Sequence, residues 1–215
     1  MVRRTKEEAA ETREQVMDAA EQVFRQRGVG HASLAEVADA AGVTRGAIYH
    51  HFASKAELFE AMLARAEMPI DAAFDNAQIP VADPLGAVRE TALKALLHLT
   101  SCERVRTIFE VAFLRCEYTD DLAPVERRHL QEREQCLSYC GGLLEQAVVG
   151  GQLPADTDTR LASHLLYAFI GGLMRDWVQA PASFDLKTAA PQLVDLFLAG
   201  LRSAPPRRAP LETPQ

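Results

Sequence analysis

Wound as a helix at about 100° per residue, Arg45, Gly46, Tyr49 and His50 fall within one arc of about 140°. That arc presents a guanidinium, a stretch of bare backbone, a phenol and an imidazole. Such groups hydrogen-bond to phosphate oxygens or base edges, and a glycine among them lets the backbone approach closely. Ala47, Ile48 and His51 lie opposite, toward a core. Between Ala40 and Ala56 there is no Asp or Glu, while Arg45, His50, His51 and Lys55 are present. In a chain of formal net charge −7, this window is a local positive surface. The total charge does not carry the reading, because residues 1–66 hold nine Lys or Arg against ten Asp or Glu. Where the charge sits decides it.

The arc needs a short helix held rigidly. Ser33 and Glu36 fit a reciprocal capping box at the start of a helix whose apolar face is Leu34, Val37, Ala38 and Ala41. Gly42-Val43 makes a tight turn, and Thr44 caps the next short helix. Two short helices about a glycine turn form a helix-turn-helix pattern. Before them, Glu11–Arg27 carries Val16, Ala19, Ala20, Val23 and Phe24 at helical spacing, and Gly28 stops it. After them, a helix is expected from Lys55 to about Asn76, with the boundary between two domains inside it.

The block Gly42-Val43-Thr44-Arg45-Gly46-Ala47-Ile48-Tyr49-His50-His51-Phe52, followed by Lys55-Ala56-Glu57-Leu58, resembles the DNA-binding signature of the TetR family. The preceding helix, with Thr12-Arg13, Ala19-Ala20, Phe24 and Gly28, is similar too, so the likeness spans about residues 9–66. Within the family the chain resembles the multidrug-binding efflux repressors of the AcrR kind. The features that carry this are Arg3-Arg4-Thr5-Lys6-Glu7-Glu8-Ala9, Cys116-Glu117-Tyr118-Thr119-Asp120-Asp121, Gly151-Gln152-Leu153-Pro154, and Gly172-Leu173 with Trp177. It departs at His50, where those repressors usually carry Trp. The resemblance implies that Ser33 and Thr44 bind phosphate through hydroxyl and amide at helix starts. It implies that Arg45 and Gly46 face base edges, and that Tyr49, His50 and Lys55 hold the DNA backbone. It also implies a ligand-responsive repressor that double-stranded operator DNA binds and a small-molecule inducer releases.

Beyond the break at Pro80–Pro84, helices are expected near 85–101, 104–117, 123–149, 158–179 and 187–203, with no strand signal anywhere. The fold is therefore all-α. It comprises a helix-turn-helix domain at 1–66, a helical ligand-binding and dimerisation domain at 67–203, and a proline-rich disordered tail at 204–215. The last helix and Leu161–Trp177 are apolar on nearly every side, so each must bury two faces. A homodimer through a four-helix bundle answers that requirement, and the family resemblance implies the same. Its seam is expected at Leu165, Phe169, Leu173, Leu193, Phe197 and Leu201. An inducer pocket is expected among Val88, Ala92, Phe109 and Phe113, with Cys136, Cys140, Tyr167, Ile170 and Arg175 on later helices. Small residues beside large aromatics, with few charges, suit hydrophobic or aromatic ligands.

Other functions find little support in the residues. His129, Cys136 and Cys140 on one helix would span about 16 Å, too far for one ion. The four cysteines fit neither a disulfide framework nor a zinc finger. There is no phosphate loop, nucleophile elbow or repeated Glu-x-x-His. No metal or cofactor is expected. The rival reading is a helical small-molecule-binding protein or enzyme without DNA function. No apolar run approaches a membrane span, the start lacks a signal peptide's apolar stretch, and a reducing cytoplasm is the expected compartment.

Overall fold

The computed structural model describes residues 6–67 and 81–208. Their secondary structure is helical, apart from an isolated antiparallel bridge between Thr157 and Arg207. The chain forms two compact units. The first comprises the described residues of Met1–Glu67 with Cys102–Leu130, and the second those of Met68–Ser101 with Gln131–Gln215.

In the first unit, α1 (Lys6–Arg27) begins five residues before the expected Glu11, with Glu7 and Glu8 in its first turn, where the helix dipole favours acids. It buries Val16, Met17, Ala20, Val23 and Phe24. Phe24 meets Phe59 edge to face, ring centres 5.8 Å apart. Gly28 stops the helix at φ +83°, and a Cβ there would stand 3.3 Å from the Arg115 carbonyl oxygen. Only glycine meets both demands cheaply. α2 (Leu34–Ala41), α3 (Arg45–His51) and α4 (Lys55–Ala64) follow. α6 (Glu103–Leu114), a 3₁₀ turn at Asp120–Leu122 and the first turns of the helix that begins at Ala123 complete the unit, adding Ile108, Val111, Leu122 and Val125 to the same core. The sequence pattern placed these residues in the other domain. Their apolar faces bury instead beside Phe24 and Leu58.

The long helix expected from Lys55 to Asn76 is shorter. α4 closes at Ala64 with Arg65 as its cap, and Glu67 stands at φ +44°. A non-glycine residue in the left-handed region cannot continue a helix. The expected span from Met68 to Asn76 lies outside the described residues.

The second unit is built from α5 (Pro84–His98), the larger part of α7 (Ala123–Val149), α8 (Thr159–Gln179) and α9 (Leu186–Ser203). α5 buries Leu85, Val88, Ala92 and Leu96 at 3/4 spacing, and α9 answers with Leu186, Ala190, Val194, Leu198 and Leu201. Arg89 and Asp195 clamp the two helices together by two hydrogen bonds of 2.5 and 3.0 Å. Trp177 donates its indole N–H to the Phe184 carbonyl. The expected disorder from Ala204 does not extend to residues 204–208. Asp158 donates to Pro206, Arg208 donates to Asp156, and Pro205 is buried. Proline lacks only the N–H, so its carbonyl still accepts and its ring still packs.

Candidate nucleic-acid interface

The helix-turn-helix is held by its caps. The Ser33 hydroxyl accepts from the Glu36 N–H at 3.2 Å, and the Glu36 carboxylate accepts from the Ser33 N–H at 2.9 Å. The bonds it accepts from the Ser33 N–H first, and from the Ser33 hydroxyl second, hold the Glu36 carboxyl below its usual range, and Arg27 sits 2.8 Å away. Gly42 ends α2 at φ +66°, ψ +27°, and its N–H reaches the carbonyls of Ala38 and Asp39. Thr44 then caps α3 by accepting from the Ala47 N–H at 3.2 Å.

α3 divides as its spacing predicts. Arg45, Gly46, Tyr49 and His50 are exposed, Tyr49 at 60%, whereas Ile48 is fully buried and Ala47 and His51 are half-buried. The rings of His50 and His51 meet edge to face at 5.3 Å. No described carboxylate pairs with Arg45. Thr44 caps with an oxygen lone pair and leaves its O–H hydrogen to turn outward. The result is a cation, a phenol, an imidazole and a hydroxyl on one solvent face.

Lys55 and Ser33 are placed differently. Lys55 is only 13% exposed in its side chain. Its ammonium donates to the carbonyls of Gly30 (3.0 Å) and Ala32 (3.3 Å) and pairs with Asp121 at 3.0 Å. Three donors meet three acceptors, so Lys55 is a strut between the α1–α2 loop and the Asp120–Leu122 turn, not the free phosphate-binding cation expected of it. The expectation missed this because Asp121 is remote in sequence. Ser33 is exposed, but its hydroxyl also donates to Glu36 at 2.9 Å, so a phosphate would have to displace that carboxylate.

A second polar cluster lies across α1, α4 and α6. Arg65 reaches Glu21 (2.7 Å), Asp18 (2.6 Å) and Glu14 (3.3 Å), while Arg104 adds Asp18 at 3.2 Å. Burial raises the Glu21 carboxyl in spite of the two guanidiniums.

The expected ligand residues belong to both units. Val88, Ala92 and Cys140 are buried in the second unit, and Cys136, Tyr167 and Ile170 are half-buried there. A bond with Cys136, together with burial, pushes the Cys140 thiol up. Burial likewise raises the Tyr167 phenol. Arg133, absent from the sequence-based set, lies 5.5 Å over the Tyr167 ring and 3.2 Å from Nδ1 of His164. Its position three residues before Cys136 on the same helix was the available signal. Arg175 is exposed on α8. Phe109 and Phe113 belong to the first unit, with ring centres 5.3 Å apart, and Phe109 packs against that unit's core. All four cysteines are free thiols, and burial pushes Cys116 up to about 11. Among the described residues, no three His, Cys, Asp or Glu side chains converge as a metal site, and no helix is long and apolar enough to cross a membrane.

Of the expected dimer seam, Leu165 is exposed, and Phe169, Leu173, Leu193 and Phe197 are half-buried. Phe169 and Phe197 stack at 4.9 Å. Leu201 is 5% exposed within its own unit's core, so it cannot also face a partner. Leu161 and Leu196, outside the expected seam set, are exposed at 47% and 71%.

Residues 16–62 match the family described as bacterial regulatory proteins, tetR family, and residues 83–203 match the C-terminal region of MAATS-type transcriptional repressors. The chain is similar to the HTH-type transcriptional regulator TtgR of Pseudomonas putida, 40% identical over 97% of this chain and 100% of that one. It is similar also to the regulator AcrR of Shigella flexneri, 37% identical over 98% of each. Among solved structures it is similar to NalD, the secondary repressor of the MexAB-OprM multidrug efflux pump in Pseudomonas aeruginosa. That likeness has a TM-score of 0.83 and 34% identity, and it covers 91% of this chain and 98% of that one.

Proposed function

Because the chain belongs to the TetR family of bacterial regulatory proteins, we propose that it is a cytoplasmic, ligand-responsive repressor of a multidrug efflux operon. It binds operator DNA as a homodimer, and hydrophobic or aromatic small molecules release it. The observation that carries this reading is the solvent face of α3, where Arg45, Gly46, Tyr49 and His50 stand exposed behind the Thr44 cap. An α-helix fits the major groove, a guanidinium there reads guanine, and phenol and imidazole tips hold phosphates. His50 supplies a shorter hydrogen-bonding tip where related repressors usually carry Trp.

The inducer site is assigned to the second unit, among Val88 and Ala92 of α5, Cys136 and Cys140 of α7, and Tyr167 and Ile170 of α8. Arg133 and His164 supply polar anchors beside Tyr167. An apolar lining with few convergent polar groups selects flat aromatic compounds, including those with a phenol or carboxylate. The dimer is assigned to the exposed apolar face of α8 and α9, carried by Leu161, Leu165 and Leu196 with Phe197.

The test is a mobility shift on the DNA upstream of the chain's own gene, with and without efflux-pump substrates. Arg45→Ala should weaken operator binding by about 1–3 kcal/mol and relax sequence choice at the bases it reads. Undiminished binding by that variant would take Arg45 out of the groove. Coupling is reciprocal, so operator DNA should weaken an inducing compound by the same factor that the compound weakens DNA. Calorimetry with and without operator reads this directly, and equal ligand affinity in both states would rule that compound out as an inducer.

A further inference from the structure

The N-terminal unit neutralises most of its cations. Among the described residues of the first 67, Arg25 pairs with Glu110, Arg27 with Glu36, Lys55 with Asp121, and Arg65 with Glu14, Asp18 and Glu21. Three cations meet no described carboxylate, namely Lys6, Arg13 and Arg45. Arg45 opens α3. Arg13 is exposed on α1 and held in place, its guanidinium 4.9 Å over the ring of Phe52, which is 1% exposed and caps the far end of α3. Its one described hydrogen bond is to the Met17 sulfur at 3.6 Å, a weak acceptor. Most of its N–H donors therefore remain available.

Its location follows from a ladder of rings. Phe52 lies 6.4 Å from His51, and His51 lies 5.3 Å from His50, whose ring is on the outward arc. Arg13 thus stands at the C-terminal end of the reading helix, as Arg45 stands at its N-terminal end. Lys6 is seven residues before Arg13, on the same face of α1. In an acidic chain, a guanidinium pre-oriented on a buried ring and left without a carboxylate has a job outside the chain.

We propose that Arg13 is a phosphate-binding residue of the DNA interface, held by Phe52 beside the C-terminal end of α3, with Lys6 extending the same basic stripe. The proposal rests on the DNA-binding reading and adds a positioning contact from α1, outside the helix-turn-helix. A flat guanidinium stacked on a ring keeps its edge free for a bidentate phosphate contact. The contact carries no sequence information of its own and fixes how α3 lies in the groove.

The experiment measures binding by fluorescence anisotropy across a salt series. It uses a duplex from the chain's own upstream region and a scrambled duplex of equal composition. Arg13→Gln should weaken both duplexes by a similar factor. It should also lower the slope of log K against log salt by about two for a dimer, since each neutralised phosphate adds about 0.9 to that slope. Arg13→Lys should restore the slope. A merely structural role on Phe52 would lower the melting temperature and leave the slope at the wild-type value, and that result overturns the proposal. If wild-type protein binds and Arg45→Ala weakens it while Arg13→Gln keeps the full slope, only the Arg13 assignment fails. If wild-type protein binds neither duplex, the DNA reading fails and this proposal with it.

Discussion

At the scale of single residues, Lys55 shows how neighbours reassign a side chain. A lysine just past a reading helix has the reach and charge for a phosphate, yet two loop carbonyls and Asp121 take its ammonium first. Lys55→Ala should therefore cost about 1–3 kcal/mol of stability, as for hydrogen bonds to a charged group. A urea melt reads this, and the salt slope of DNA binding should stay unchanged. A lowered slope with full stability would return Lys55 to the phosphates. The lock also has a pH signature. The Thr119 hydroxyl first, and Lys55 second, hold the Asp121 carboxyl below its usual 3.8. With a depressed folded value, the unfolded chain takes up the proton first. This stabilisation is complete above that usual value and disappears as pH falls through the lowered one. Glu21 has the opposite sign, because burial raises it. Its share of stability is full below the usual 4.5 and is lost as pH rises through the raised value. Asp121→Asn should flatten the acid limb of the stability curve, and an unaltered limb would assign that limb to other carboxylates.

At the scale of elements, the helix-turn-helix is legible because its signals are local. The Ser33–Glu36 box, the left-handed Gly42 and the Thr44 cap each act within four residues, and each appears as its spacing requires. A Cβ at Gly42 would meet nothing within 4 Å, so substitution there is penalised through φ alone. Gly42→Ala should cost about 1–2 kcal/mol and weaken operator binding through the changed angle of α3. Full stability in a chemical melt would mean that the turn relaxes to another conformation. The length of α4 was not legible. Apolar periodicity past Ala64 reads as more helix, while the helix is capped by Arg65, whose guanidinium is held by Asp18 and Glu21 of α1, and Glu67 turns left-handed.

At the scale of the whole molecule, the proposed dimer predicts that exposed apolar side chains on α8 and α9 are covered in solution. Leu196→Glu places a charge on a side chain 71% exposed in the single chain, so the protomer tolerates it. Buried in a seam, the same charge would cost several kcal/mol. Sedimentation should therefore find monomers with unchanged helical circular dichroism, and an intact dimer would move the seam elsewhere. Leu201→Glu is a poor probe of the interface, since Leu201 lies in its own unit's core and the change should unfold that unit.

The sequence by itself determined what depends on neighbours along the chain. Helix spacing, caps, the glycine turn and the outward arc of α3 follow from periods of three to four residues. They give a helix-turn-helix pattern, and it is the residue block Gly42–Phe52 with Lys55–Leu58, through its resemblance to the TetR DNA-binding signature, that carried the family. Tertiary structure alone decided what depends on partners remote in sequence. Residues 102–130 close the core around Phe24, Asp121 takes Lys55, and the tail bonds to Asp156 and Asp158. An apolar stripe shows that a helix must bury a face without specifying against which element. A charged side chain likewise shows what it can bind, while its nearest oppositely charged neighbour decides whether it is free to do so.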